Sequence, residues 1–253
     1  MTALSPRSGR TLVKICGLKT AEAALAAARS GADLVGFVFA ESRRRVSPEE
    51  AAAILSAAGG LAGVKVAGVF ADPDLAELER VMAAVRLDVI QLHGRESPAF
   101  VREVKVRFPA AAVIKAVDAT GGPEAGKTAG APPDADRLSA DEPSGGSGAN
   151  RPAERLRPYA GAADAFLLDT SGGGTGRTFP WDVIPGCKAA AAEIGAPLFV
   201  AGGLDPGNVA GLVARYRPDG VDVSSGVETG GAKDVAKIAA FIERVRTIDQ
   251  ART

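Results

Sequence analysis

Three observations predict an α/β fold built as a single (βα)8 TIM barrel. From "TLVKIC" onward, short β-branched or apolar runs alternate with Ala-rich helical stretches, the pattern of a parallel sheet wrapped by helices. Eight such runs can be counted, which is the number of strands that closes this barrel. The turn after the first run, in "KICGLKT", has one glycine where a doubly wound dinucleotide-binding sheet would carry G-x-G-x-x-G.

The units follow in order. "LVKIC" leads into the helical stretch "AEAALAAARSG", and "DLVGFVF" into "SPEEAAAILSAAG". In the latter, Ser47, Pro48 and Glu50 stand as N-cap, N1 and N3, the firmest helix start in the chain. "VKVAGVF" precedes "PDLAELERVMAAV", and "DVIQLH" and "AVIKAV" supply strands four and five. The fifth unit departs from the pattern. A low-complexity insert rich in Gly, Pro, Ala and Asp, at about 119 to 152, separates its strand from "DAFLLD", with a short helix around "RPAERLRPYA". "PLFVAGG" and "DGVDVSS" complete the barrel, and "DVAKIAAFIERVR" is its last helix. The expected organisation is one domain over residues 1–253 carrying a disordered insert.

Within that insert, "GGPEAGKT" fits the phosphate-gripping pattern G-x-x-x-x-G-K-[ST]. A working loop of this kind opens a helix whose first N–H groups hold the phosphates. Pro132 and Pro133 would cut that helix before its second turn, so the match is read as chance and no nucleotide is expected.

The 253 residues suffice for one large barrel or two ordinary domains, and length does not choose. Thirty Lys+Arg balance thirty Asp+Glu, so no global field recruits nucleic acid or an anionic membrane, and any bound anion must be held locally. Two cysteines, Cys16 and Cys187, and one histidine, His93, are too few for a disulfide framework or a zinc cage. The N-terminal stretch lacks the apolar run of a signal peptide, and no apolar segment of roughly 18 residues offers a membrane span. A cytoplasmic setting is expected.

Sites in such barrels lie at the C-terminal ends of the strands. Strand one ends in Cys16, strand four in His93 and strand six in Asp169; strand eight carries Asp222, then Ser224 and Ser225. Two-residue alternation puts Lys14 with Cys16, Gln91 with His93, and Asp222 with Ser224 on shared faces. If those faces point inward, polar groups converge on one mouth. Cys16 is either a small buried apolar residue or a reactive thiol. Asp169 is either a loop cap or a carboxylate for acid or base duty. The Gly-rich loop "TSGGGTGRTF" that follows Asp169 suits a mobile lid. Gly202 and Gly203 after strand seven, with Ser224, Ser225 and Gly226 after strand eight, sit where barrels build a phosphate cradle from backbone N–H groups. The arginines of "SRRRVSP" are either solvated surface or, in part, a clamp for a carboxylate.

These pieces, "KICGL", "GADLVGFVF", "SRRRVSP", "GVF", "QLHG", "LLD", "GGTGRTFPW", "AGGL" and "DVSSGVE", resemble phosphoribosylanthranilate isomerase nearly end to end and in family order. The resemblance implies conversion of N-(5-phosphoribosyl)anthranilate into its 1-deoxyribulose 5-phosphate isomer in tryptophan biosynthesis, with no metal or redox cofactor. It implies Cys16 as general base, Asp169 as general acid and Arg44 as the grip on the anthranilate carboxylate. As acid, Asp169 would carry a proton despite a free value near ~3.9; as base, Cys16 would need its free value of ~8.5 lowered or tuned by a cation such as Lys14. Another sugar-phosphate isomerase or lyase would keep the phosphate cradle and change the acid and base, and a non-catalytic binding barrel would not need both Cys16 and Asp169.

Overall fold

The computed structural model describes residue 4 and residues 10–120, 151–170 and 178–251. Eight parallel strands close into a barrel in sequence order. They are β1 (Leu12–Cys16), β2 (Leu34–Val38), β3 (Lys65–Phe70), β4 (Val89–Leu92), β5 (Ala112–Asp118), β6 (Ala165–Asp169), β7 (Leu198–Val200) and β8 (Gly220–Val223). The helices are α1 (Ala21–Arg29), α2 (Pro48–Ala57), α3 (Leu75–Ala84), α4 (Pro98–Arg107), α5 (Arg151–Leu156), α6 (Ile184–Ile194), α7 (Val209–Tyr216) and α8 (Val235–Gln250). A two-stranded ribbon, β9 (Glu228–Thr229) with β10 (Ala232–Lys233), stands between β8 and α8.

The local signals act as the chemistry of the termini predicts. Ser47 accepts from the Glu50 backbone N–H at 3.1 Å while Glu50 accepts from the Ser47 N–H at 2.7 Å, a complete capping box on α2. Thr20, Asp74, Ser97 and Asp234 cap α1, α3, α4 and α8 in the same sense. The fifth unit keeps the short helix expected around "RPAERLRPYA", α5, followed by a 3-10 turn at Arg157–Tyr159. "GGPEAGKT", the rest of the insert from 121 to 150, and loop positions 171–177 lie outside the described residues.

Two apolar shells meet at the strands. The larger packs outward-facing strand side chains such as Val13, Val35, Phe166 and Val221 against the helices. The smaller fills the barrel interior with Leu34, Ala67, Val89, Ile114, Leu167 and Phe199. Gly220 is required there: a Cβ at that position would stand 2.3 Å from the Phe199 ring, its neighbour in register. At the N-terminal face the residue just before each even strand ties down the odd strand before it. Asp33, Asp88, Asp164 and Asp219 accept from the backbone N–H of Val13, Val66, Val113 and Leu198 at 2.8 to 2.9 Å. That face is built for stability, which leaves the opposite end free for chemistry.

Candidate active site

Alternation along β1 turns Lys14 and Cys16 into the barrel, and the β1/β8 register sets Lys14 directly beside Asp222. Lys14 Nζ donates to Asp222 Oδ2 at 3.0 Å with only 1% of the Lys14 side chain exposed. Burial pulls the Lys14 ammonium down, but Asp222 and Cys16 outweigh it and hold it above its ordinary value. Lys14 therefore stays charged beneath the mouth.

Cys16 lies one layer higher, against Val38 and Val69. Gly36 of β2 makes its room, since a Cβ there would stand 2.9 Å from the Cys16 sulfur. Ser224 Oγ donates to the Cys16 carbonyl at 3.1 Å, joining the ends of β1 and β8. Burial pushes the Cys16 thiol up; Lys14 and Lys233 pull it back without overcoming that. The expectation that a neighbouring cation lowers this thiol thus has its cation in place, and desolvation wins.

Across the mouth, Asp169 ends β6. Its Oδ1 accepts from the Thr170 backbone N–H at 2.7 Å, and its Oδ2 lies 3.3 Å from His93 Nε2. Gln91 Nε2 meets His93 Nδ1 at 2.9 Å. With Gln91 donating, His93 accepts at Nδ1 and turns an N–H toward Asp169, so Gln91, His93 and Asp169 form one chain. The loop carrying His93 is fastened by a second, fully buried pair, Lys115 with Glu96 at 2.9 Å; Glu96 also accepts from the Gly94 and Asp72 backbone N–H groups.

The three arginines sort themselves. Arg45 pairs with Glu41 in solvent, and Arg43 is more than half exposed. Arg44 is buried, its stem crossing Gly17, where a Cβ would stand 2.5 Å from Arg44 Cδ and where φ is +75°. Its guanidinium meets Glu228 at 2.6 and 3.2 Å.

The glycines and serines expected to cradle an anion lie on two loops. Gly202 and Gly203 have φ of +76° and +64°, and Asn208 Nδ2 clamps the Gly203 carbonyl at 2.8 Å. Ser225 and Gly226 open a 3-10 turn pressed on the first loop, for a Cβ at Gly226 would fall 1.9 Å from the Leu204 carbonyl oxygen. Among the described residues, nothing accepts a hydrogen bond from the backbone N–H of Gly202, Gly203, Ser225 or Gly226. Gly202 also adjoins Asp169, its would-be Cβ being 3.2 Å from Oδ1, so this loop and the carboxylate share a wall.

The structure thus gathers Cys16, Asp222 and Ser224 on one side of the mouth and Gln91, His93 and Asp169 on the other, with Gly202, Gly203, Ser225 and Gly226 between and the Arg44 stem against Gly17. Sequence reasoning missed Gly36, Glu228 and Lys233. A glycine inside a strand is a signal of close approach, and Glu228 closes the motif "DVSSGVE", but neither names its partner. No group of three or more His, Cys, Asp or Glu able to hold a metal occurs among the described residues, and no described helix is long and apolar enough to cross a membrane.

A family model for N-(5'phosphoribosyl)anthranilate (PRA) isomerase matches residues 13–159 and 149–244. The chain is 38% identical over 244 residues to the N-(5'-phosphoribosyl)anthranilate isomerase of Brevibacillus brevis, covering 95% of this chain and 96% of the relative. It is 41% identical over 248 residues to that of Azorhizobium caulinodans, covering 94% and 93%. The crystal structure of phosphoribosyl anthranilate isomerase from Thermotoga maritima superposes with TM-score 0.73 at 33% identity, over 94% of this chain and 99% of that one. A crystal structure of the isomerase in complex with reduced 1-(o-carboxyphenylamino)-1-deoxyribulose 5-phosphate superposes with TM-score 0.70 at 32% identity, over 94% and 99%.

Proposed function

This chain belongs to the N-(5'-phosphoribosyl)anthranilate isomerase family, and on that premise we propose which residues carry the isomerisation of N-(5-phosphoribosyl)anthranilate in tryptophan biosynthesis. One observation supports the assignment: a thiol and a carboxylate, Cys16 and Asp169, face one mouth from β1 and β6, with the glycine-bearing loops after β7 and β8 between them. Asp169 is the general acid. It gives a proton to the ribose ring oxygen, the ring opens to a Schiff base, and the His93 hydrogen bond keeps the carboxyl aimed. Cys16 is the general base and removes the proton from C2 as a thiolate, after which the enol relaxes to the ketone.

The phosphate is held by the N–H groups of Gly202, Gly203, Ser225 and Gly226, with Ser224 anchoring the second loop to β1. Asp222 keeps Oδ1 without a partner among the described residues, an acceptor suited to a sugar hydroxyl. Gln91 acts on the ligand through His93. The substrate is a small phosphorylated sugar conjugate; the reading includes no nucleic acid or membrane partner and no metal or redox cofactor. A cytoplasmic setting is supported by two free cysteines. Turnover of N-(5-phosphoribosyl)anthranilate by the purified chain tests the whole reading, and its absence would overturn it.

Arg44 is the group that binds the anthranilate carboxylate. Arg44→Ala is expected to raise KM about tenfold or more, the worth of one charged hydrogen-bonded contact, while Arg43→Ala and Arg45→Ala change it less than about threefold. Equal effects at all three positions would mean a diffuse patch of charge.

The chain is read as one barrel domain whose insert takes no part in the chemistry. Asp118 at the end of β5 and Arg155 on α5 pair at 3.7 Å, so the segment's flanks are tied to each other directly. Loop closure changes slowly with length, and deletion of residues 121–148 is expected to leave kcat/KM and melting temperature close to the parent's. A large loss of either would give the insert a role.

A further inference from the structure

We infer that Glu228 is a positioning residue for substrate recognition: it holds the Nε/Nη2 edge of the Arg44 guanidinium so that the adjoining Nη1/Nη2 edge receives the carboxylate of the anthranilate ring. This rests on the reading of Arg44 as the carboxylate grip. Glu228 takes Arg44 side-on, Oε1 accepting from Nε at 2.6 Å and Oε2 from Nη2 at 3.2 Å. A guanidinium has five N–H donors in a rigid fork, and this pairing leaves the Nη1/Nη2 edge, the one that matches a carboxylate with two parallel hydrogen bonds. Among the described residues no other acceptor engages it.

Glu228 is itself fixed. It lies on the β9/β10 ribbon directly opposite Lys233, and the two-residue turn joining the strands is made by Gly230 and Gly231 with φ of +60° and +84°. Both central residues of this hairpin type need positive φ, so the glycines close it without strain. Lys233 Nζ donates to Oε1 at 2.8 Å and Arg43 donates to Oε2 at 2.6 Å, which with Arg44 fills the acceptor sites of the carboxylate. Burial pushes Glu228 up, but hydrogen bonds from Arg44 and Lys233 prevail and bring it down to about 2, so it stays ionised at any working pH.

One carboxylate facing three cations leaves the cluster net positive, and an incoming anion is still attracted. What Glu228 supplies is order. A free arginine side chain would lose its rotamer freedom on binding the ligand, whereas Arg44 has lost it already.

The test measures binding of reduced 1-(o-carboxyphenylamino)-1-deoxyribulose 5-phosphate, and of the same compound without the ring carboxyl, by calorimetry. Glu228→Gln is expected to weaken the first about tenfold and leave the second unchanged. Arg44→Met is expected to abolish the preference for the carboxylated ligand, and in that background Glu228→Gln should add nothing. Equal weakening of both ligands by Glu228→Gln would make the ribbon a wall of the mouth and overturn the inference while leaving the Arg44 reading intact. A preference that survives Arg44→Met would remove the Arg44 reading and the inference with it. Glu228→Asp keeps the charge, draws it back by one methylene and preserves the ribbon. It is expected to lose part of the preference, and full retention would also overturn the inference.

Discussion

Cys16→Ala and Asp169→Asn are each expected to lower kcat about 10²- to 10⁴-fold, the range of a single positioned proton-transfer group, with KM changed far less. The fold should survive both. Cys16 loses one buried sulfur from a small cluster with Val38 and Val69, a cost on the order of 1 kcal/mol, or a shift of about 2–4 °C in a chain of this size. At Asp169 an amide still offers an oxygen to the Thr170 N–H, and its nitrogen then faces His93 Nε2. The chain can answer that donor. Gln91 Oε1 is buried without a partner among the described residues, and a half-turn of the Gln91 amide lets it accept from Nδ1–H and frees His93 Nε2 as an acceptor. Steady-state turnover beside thermal melting checks both variants, and near-normal kcat in either removes that residue from the mechanism.

The barrel was legible because its signals are local. Strand ends such as "LLD" and caps such as Ser47 with Glu50 need only neighbours in sequence, and the residues they place, Cys16, His93 and Asp169, all reach the mouth. Two helices escaped the sequence reading: α4 and α6. The first begins with Ser97–Pro98, the same start signal as Ser47–Pro48, but its "AFVREVKVR" mixes β-branched and charged residues and blurs the helical period. Long-range pairings were not legible. Glu228 meets Arg44 from 184 residues away, and no spacing rule links them. Gly36 shows its purpose only when β2 lies beside β1 and Cys16 needs the space. The thiol is the instructive case: the sequence puts a lysine two residues from Cys16, but how far burial opposes that lysine depends on Val38 and Val69, which belong to other strands.

Lys14→Met puts that balance to measurement and carries the largest expected effect on stability. Lys14 and Asp222 are both buried and meet at 3.0 Å, so removing the cation leaves a carboxylate in the barrel interior without its partner, at a cost of about 3–5 kcal/mol. Denaturant unfolding reads this directly. The double variant Lys14→Met/Asp222→Leu removes both charges and should regain most of the loss, because a buried pair replaced by apolar side chains of similar size costs little. Activity should not return with it. The working form of Cys16 is the thiolate, which forms as pH rises through the thiol's pKa, and burial already holds that pKa above the ordinary value. The parent's kcat/KM should therefore climb on the alkaline side of neutrality. Loss of the Lys14 charge takes away the larger of the two cationic pulls on the thiol, so the rising limb should move to still higher pH and the rate at pH 7 should fall further. The limb is best followed in the double variant, which keeps the fold, although Asp222 goes with Lys14 and its opposing push on the thiol is lost too. The shift there should be smaller than in Lys14→Met but of the same sign, because Lys14 outweighs Asp222 in its action on Cys16. A limb that stays where the parent's lies in both variants would mean that Lys14 supports the barrel and does not tune the base.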